Sequence, residues 1–249
     1  MCRHLAYIGP PVTLAKLLLE PEHSLLRQAT RPRYQTHGTR NADGFGVGWY
    51  DRAKRAEPAR YRTTRQIWAD PSFASLAGIV SSNAVLAAVR NASPGMPIKE
   101  TSTAPFTDGP WLFSHNGFVP GFGGGVGREL RRRVSERRAR ALVGATDSQL
   151  LFALVLDRLD AGASPADALA SVVGLVGEHT TARLNLLLTD GERIAATACR
   201  NSLFVFDDRQ LTGAVVVASE PFDGDSRWAA VEDGSVVEYE DGKLEVRPL

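Results

Sequence analysis

Asn41-Ala42-Asp43-Gly44-Phe45-Gly46-Val47-Gly48-Trp49-Tyr50 sets Phe45, Val47 and Trp49 in alternation with glycine. Period-two alternation is the pattern of a β-strand, and here one of its faces carries no side chains. A bare face lets something lie very close to the backbone, either another structural element or a ligand. Toward the N-terminus, the loop Glu20 to Arg40 carries prolines and arginines, Thr13 can N-cap a short helix through Leu19, and residues 3 to 9 read as a strand. In the other direction, strands are expected at 59 to 64, 83 to 90 and 111 to 114, with a short helix after Pro71.

Two longer helices follow. Thr146 can N-cap Asp147-Ser148-Gln149 and the apolar stretch Leu150 to Leu159, and Ser164-Pro165 is a cap and first-turn pair for a helix to Val173. The last third reads as β: Arg183 to Leu188, a turn at Asp190-Gly191, Arg193 to Ala198, Leu203 to Phe206, Ala214 to Ala218, and a hairpin turning at Asp241-Gly242. Strands, two helices and strands again make an α+β pattern of antiparallel sheets with helices against them. With no internal repeat and no linker, residues 1–249 are expected to form one domain. Arg128 to Arg140 holds seven arginines, but Leu130, Val134 and Ala141 recur at helical spacing, so the arginines read as the wet side of one amphipathic helix. Gly121 to Gly127 lacks a Gly-Lys-Ser/Thr ending and reads as a flexible loop, a candidate lid beside Asn116-Gly117.

A hydrophobic content of 43% in 249 residues is enough for a buried core. The 29 Lys and Arg nearly cancel the 28 Asp and Glu, so the charge points to no nucleic-acid or membrane partner and leaves a small molecule as the expected one. Cys2 and Cys199 lack the spacing of a secreted disulfide scaffold. No apolar run approaches the ~20 residues that span a bilayer, and no signal-peptide core follows Met1, so a cytoplasmic protein is expected. The five histidines show no ligand spacing with Cys or carboxylates, so a metal site is not expected. Oligomeric state is left open.

The chemistry concentrates at a few points. Cys2 follows the initiator Met, and Met removal would make it the chain terminus. A free α-amine titrates near ~7.7–8.0 and a thiol near ~8.5, so one residue can then be both nucleophile and base. Ser114-His115-Asn116-Gly117 ends the apolar run Trp111-Leu112-Phe113 and offers a side-chain amide and a backbone N–H to a tetrahedral oxyanion, although Asn-Gly alone is first a hairpin-turn signal. Arg90, at the end of a strand and followed by Asn91-Ala92-Ser93, can hold a carboxylate in bidentate fashion, with Ser93 adding hydrogen bonds. Asp147 can cap its helix or pair with a substrate ammonium. Cys199 reads as a packed residue, and a Cys2–Cys199 disulfide would abolish the proposed chemistry.

Cys2-Arg3-His4-Leu5, Asn41 to Tyr50, Arg90 to Ser93, Ala104-Pro105-Phe106, Ser114 to Gly117, Thr146-Asp147-Ser148 and Val217-Ala218-Ser219-Glu220-Pro221 occur in the order of class II glutamine amidotransferase-like domains, which the chain resembles along nearly its whole length. Within that group the first fifty residues look most like the amidohydrolases of ergothioneine biosynthesis, which cleave γ-glutamyl hercynylcysteine sulfoxide. The resemblance implies a four-layer αββα sandwich of the N-terminal nucleophile hydrolase type, no cofactor, and a thioester intermediate. It also implies Cys2 as nucleophile and base, Asn116 and Gly117 as oxyanion hole, Arg90 on the glutamyl carboxylate, Asp147 on its ammonium, and Ser93 and His115 in the substrate pocket. Ala88 and Ser93 stand where the superfamily often has His and Thr, and Ala104 replaces the His of a common His-Pro-Phe. The alternative is a glutaminase, or an amidotransferase subunit using glutamine with a partner synthase; the motifs fill almost the whole chain, which favours a stand-alone hydrolase. A scaffold protein that kept the fold and lost activity would not be expected to keep this set. For a trimethylammonium on the leaving group, Trp49, Tyr50, Trp68, Phe118 and Phe122 are candidate aromatic contacts.

Overall fold

Successive side chains of a strand point to opposite faces, so the burial of odd and even residues shows what lies on either side of each sheet. The computed structural model describes residues 2–93 and 95–249. In the first half of the chain these form β1 (Arg3–Thr13), α1 (Leu14–Leu18), α2 (Leu25–Gln28), β2 (Phe45–Trp49), β3 (Ala59–Thr63), α3 (Pro71–Ile79), β4 (Ser81–Val89), β5 (Phe106–Asp108) and β6 (Trp111–Phe118). The second half adds α4 (Gly125–Arg132), α5 (Glu136–Ala141), α6 (Asp147–Asp160), α7 (Pro165–Gly177), β7 (Arg183–Thr189), β8 (Ile194–Ala198), β9 (Phe204–Asp208), β10 (Ala214–Ala218), β11 (Trp228–Ala230), β12 (Ser235–Glu240) and β13 (Lys243–Pro248).

The strands make two antiparallel sheets, ordered β11-β9-β10-β1-β4-β2-β3 and β13-β12-β8-β7-β6-β5. Three apolar clusters fill three gaps. Leu5, Tyr7, Val85, Val89 and Val216 of the first sheet pack on Leu14, Leu17, Leu25 and Phe73 of α1, α2 and α3. Their neighbours in sequence, Ala6, Leu86 and Val217, face Leu112, Leu187, Ala196 and Val237 of the second sheet. That sheet turns Phe113, Leu184, Leu186, Leu188 and Val236 outward against α6 and α7. The result is the expected α+β sandwich, helices on sheet on sheet on helices. Among the described residues no helix is long and apolar enough to cross a membrane.

The bare face of β2 is filled by protein. A Cβ on Gly48 would lie 2.5 Å from Leu112 Cδ1 of the facing sheet, and one on Gly46 would lie 2.3 Å from the Ala104 carbonyl oxygen. The two glycines let the 104–105 segment and β6 come down on the first sheet. Thr146 caps α6 in a reciprocal box with Gln149, an arrangement worth about 1 kcal/mol.

Four expectations need correction. Asn116-Gly117 neither ends its strand nor turns a hairpin: β6 runs on to Phe118 and pairs with β7 through Asn116↔Asn185 and Gly117↔Leu184. The arginine-rich stretch is two helices, because Ser135 breaks it and caps α5 through the Arg138 N–H. Arg138 is not on the wet side; it is buried, its guanidinium donating to Asp108 and Asp160. Gly125-Val126-Gly127 is helical, and Gly127 is pressed on the Phe122 carbonyl, so only Gly121 to Gly124 keeps the form of a turn. α2, β5 and β11 were not anticipated.

Candidate active site

Register brings the site together. β1 lies between β10 and β4, with Arg3 opposite Val89 and Leu5 opposite Ala218. Cys2 therefore emerges beside Arg90 at the end of β4 and near Ser219-Glu220 at the end of β10. Across the sandwich, β5 pairs with β6 only as far as Phe113, which leaves the following residues of β6 without a strand on that side.

Cys2 N–H donates to Asn116 Oδ1 at 3.1 Å, tying the start of β1 to β6. The other end of the amide, Nδ2, donates to Ser219 Oγ at 3.4 Å, and the Asn116 carbonyl accepts from Asn201 Nδ2 at 2.9 Å. Ser219 is itself fixed by an exchange with β1: His4 N–H donates to Ser219 Oγ and Ser219 N–H to the His4 carbonyl. His4 contacts Ser114 Oγ through Nδ1 at 3.1 Å, while its Nε2 is buried without a partner. Burial, then the nearby Arg3 and His115, push its imidazole down to about 3, so it is neutral at physiological pH.

His115 Nε2 lies 3.0 Å from the Arg183 carbonyl, an acceptor only, so this nitrogen carries the proton. Nδ1 lies 3.1 Å from Ser148 Oγ, whose hydroxyl also reaches Asp147 Oδ1 at 3.3 Å. Gly117 is required by this contact: a Cβ there would sit 1.9 Å from Arg183 O and 2.3 Å from His115 Nε2.

Arg90 is only 8% exposed. Its Nη2 donates to the Pro97 carbonyl at 2.9 Å, and its Nη1 is buried with no partner. An unpaired buried guanidinium nitrogen is costly, and an anion supplied from outside would complete it. Asp147 opens α6, accepting from Val119 N at 3.3 Å through Oδ2 and from Ser148 N at 2.7 Å through Oδ1. One pocket is lined by Cys2, Arg90, Ser93, His115, Gly117 and Asp147, and a second beside it by Cys2, Ala88, Arg90, Ser102, Ala104 and His115. Of the residues given a catalytic or glutamyl-binding role from the sequence, Asn116 lines neither; its amide accepts from Cys2 N–H.

Behind Cys2, Arg3 is fully buried against Glu220, Nε to Oε1 at 3.2 Å. Burial opposes charge on Glu220, but hydrogen bonds from His23, Arg33 N and Tyr34 N, together with Arg3, hold its carboxyl below the usual range. The network pins residues 33–34 next to the start of β1. Within Val217 to Pro221 the sequence pattern assigns no role to Ser219 or Glu220, and Ser148, Ser102 and Met96 line the pockets without a sequence expectation of doing so. Ser102 ends a single 3-10 turn and Met96 lies in irregular chain, and neither carries a pattern; Ser148 is the neighbour of a candidate site residue on a helix start.

Cys199 is a free thiol, as is Cys2; burial pushes it up and it packs beside the helices, as expected. The aromatic candidates divide. Tyr50 and Phe122 are buried, the Tyr50 hydroxyl donating to Pro110 and Thr189 carbonyls, and Trp49 packs in the outer core. They are structural, which leaves Phe118 and Trp68.

The family model of class-II glutamine amidotransferases matches residues 30–211. The chain belongs to this family. As a class II amidotransferase domain it is 40% identical over 254 residues to the gamma-glutamyl-hercynylcysteine sulfoxide hydrolase of Mycolicibacterium smegmatis, covering 100% of both chains. A Mycobacterium tuberculosis protein of the same name is 40% identical over 239 residues, covering 96% of this chain and 92% of its own. Among solved structures, a glutamine aminotransferase class-II domain protein from Silicibacter pomeroyi matches 99% of each chain at TM-score 0.69 and 25% identity. The glutamine phosphoribosylpyrophosphate amidotransferase of Bacillus subtilis shares the fold at TM-score 0.67 and 14% identity, over 99% of this chain and 49% of that one.

Proposed function

We propose that this chain is an amide-bond hydrolase that cleaves the γ-glutamyl bond of γ-glutamyl hercynylcysteine sulfoxide, releasing glutamate and hercynylcysteine sulfoxide. The observation that carries the reading is one pocket holding Cys2, a carboxylate at Asp147 and the unpartnered Nη1 of Arg90. A glutamyl group presents an α-carboxylate and an α-ammonium, and these complement Arg90 and Asp147 with its reactive amide carbon left for the thiol. Full-length relatives at 40% identity supply the leaving half of the substrate.

In this reading Met1 is removed and the freed α-amine of Cys2 takes the thiol proton, directly or through a water. The thiolate sulfur adds to the γ-carbonyl carbon. The oxyanion meets the Gly117 N–H and Asn116 Nδ2, whose second hydrogen remains after Ser219 has taken one. Collapse expels the amine, which carries away the proton, and leaves a glutamyl thioester; water attacks this and regenerates the thiol. Arg90 and Asp147 fix the glutamyl group so that its amide meets Sγ, and Ser93 and His115 complete the pocket wall. The reaction needs a reduced Cys2, which suits the cytoplasm, and residues 1–249 act as a single domain.

The test compares initial rates of glutamate release from the sulfoxide conjugate and from glutamine. The reading expects the conjugate to be preferred in kcat/KM by at least about two orders of magnitude, since the leaving half adds binding energy that glutamine lacks. Preference for glutamine would replace it with a glutaminase.

A further inference from the structure

An opening wider than either compartment at Cys2 lies elsewhere in the fold. Between β3 and β5, the edge strands of the two sheets, lies a cleft of about 680 Å³ with its mouth, against about 300 and 330 Å³ for the two compartments at the cysteine. Its floor is apolar, formed by Phe106, Phe152, Leu142 and Leu156, and Val143 stands 77% exposed on its rim.

Above that floor two arginines of β3 have one carboxylate between them. Arg60 and Arg62 are two apart on β3 and so share a face. Each donates to a backbone carbonyl, Arg60 Nη1 to Pro105 at 3.2 Å and Arg62 Nη1 to Thr103 at 3.3 Å. The acid that the pair contacts is Glu100, 3.7 Å from Arg62 with its side chain 64% exposed. Arg138, across the cleft, is already neutralised by Asp108 and Asp160. Arg60 is exposed on the strand; desolvation of part of its side chain, and then the neighbouring Arg62, lower it to about 10.

We propose that this cleft binds a small organic carboxylate with an aromatic-sized apolar body, the carboxylate on Arg60 and Arg62 and the body on Phe106 and Phe152. The site is coupled to the cysteine. The carbonyls held by the two arginines belong to Thr103 and Pro105, and Ser102, Thr103 and Ala104 wall the Cys2 pocket. Gln149, also in the cleft, donates to the Thr101 carbonyl at 3.2 Å while its Oε1 caps the helix that begins at Asp147. A carboxylate that draws Arg60 and Arg62 off those carbonyls therefore shifts the wall of the glutamyl pocket.

The experiment titrates the purified protein with benzoate, and with acetate and benzyl alcohol as probes lacking the apolar body or the charge. Calorimetry should show benzoate binding at least about tenfold more tightly than either probe, with at least about a tenfold loss in the Arg60→Gln/Arg62→Gln variant. Val143→Asp, on an exposed rim residue, should weaken binding by placing a competing carboxylate beside the arginines. Equal binding of benzoate and acetate, benzoate binding unchanged in both variants, or loss of binding in Arg90→Gln instead would each overturn the site. Saturating benzoate should also change KM for the γ-glutamyl conjugate by about twofold or more in the wild type and not in the double arginine variant. Binding with KM unchanged would overturn the coupling. The binding arms do not depend on the proposed reaction, so a failure of the hydrolase reading leaves them interpretable.

Discussion

Replacing Gly117 by alanine adds one methyl group at the point where β6, β7 and His115 converge. Its Cβ would lie 1.9 Å from the Arg183 carbonyl oxygen and 2.3 Å from His115 Nε2, and the first of these is backbone in a paired strand. Ordinary carbon contacts need about 3.5 Å, so β7 or β6 must move by more than about 1 Å. Overpacking of a buried position costs typically about 1–3 kcal/mol, and the value here belongs at the upper end because backbone rather than a side-chain end has to give. The same movement displaces the Asn116-Gly117 donors, and a misplacement of about 1 Å in a catalytic site costs on the order of a hundredfold in rate. Gly78 in α3 is the control, since a Cβ there meets nothing within 4 Å. Gly78→Ala should stabilise by about 0.5–1 kcal/mol through helix propensity. Urea unfolding and glutamate release, measured on both variants, separate the two effects. Gly117→Ala with wild-type stability and rate would refute the packing and the role of these donors together.

His4 stays neutral in the fold down to about 3 but has an ordinary value of 6.5 when unfolded. In that window the unfolded chain binds the extra proton, so the contribution is complete above pH 6.5 and is lost as pH falls, at about 1.4 kcal/mol per pH unit. Urea midpoints at neutral and mildly acidic pH should converge for His4→Gln relative to wild type; an identical acid slope in the two proteins would exclude this residue as the cause. Arg90→Gln should lower kcat/KM for the conjugate by about two orders of magnitude while costing the fold no more than the one Nη2–Pro97 hydrogen bond, about 1 kcal/mol, since Nη1 has no internal partner to lose. A large fall in stability with kinetics intact would make Arg90 a structural residue.

Much of this fold could be read from local pattern, because a strand with one face buried announces itself by alternation, as Phe45 to Trp49 and Arg183 to Leu188 do. Layering could not: the four-layer arrangement came from resemblance, and only the three-dimensional packing shows that Gly46 and Gly48 accommodate Ala104 and Leu112. Asn116-Gly117 misleads for the same reason, since the dipeptide is a turn signal locally and pairing with β7 is a long-range fact. Arg138 reads as solvent-facing by charge alone; Asp108 and Asp160, distant in sequence, make its burial tolerable. Cys2, Arg90, Ser93, His115, Gly117 and Asp147 were each named from sequence and share a pocket, whereas the Arg3–Glu220 pair and Ser219, which hold β1 in place behind them, have no local signature.

In the proposed reaction Cys2 acts as a processed N-terminal nucleophile. Rapid acid quench of the enzyme turning over the sulfoxide conjugate, followed by mass spectrometry of the N-terminal peptide, tests it directly. The account predicts a chain lacking Met1 with one glutamyl group on Cys2, and no adduct in Cys2→Ala; retained Met1 in active enzyme, or a glutamyl group on any other residue, would contradict it.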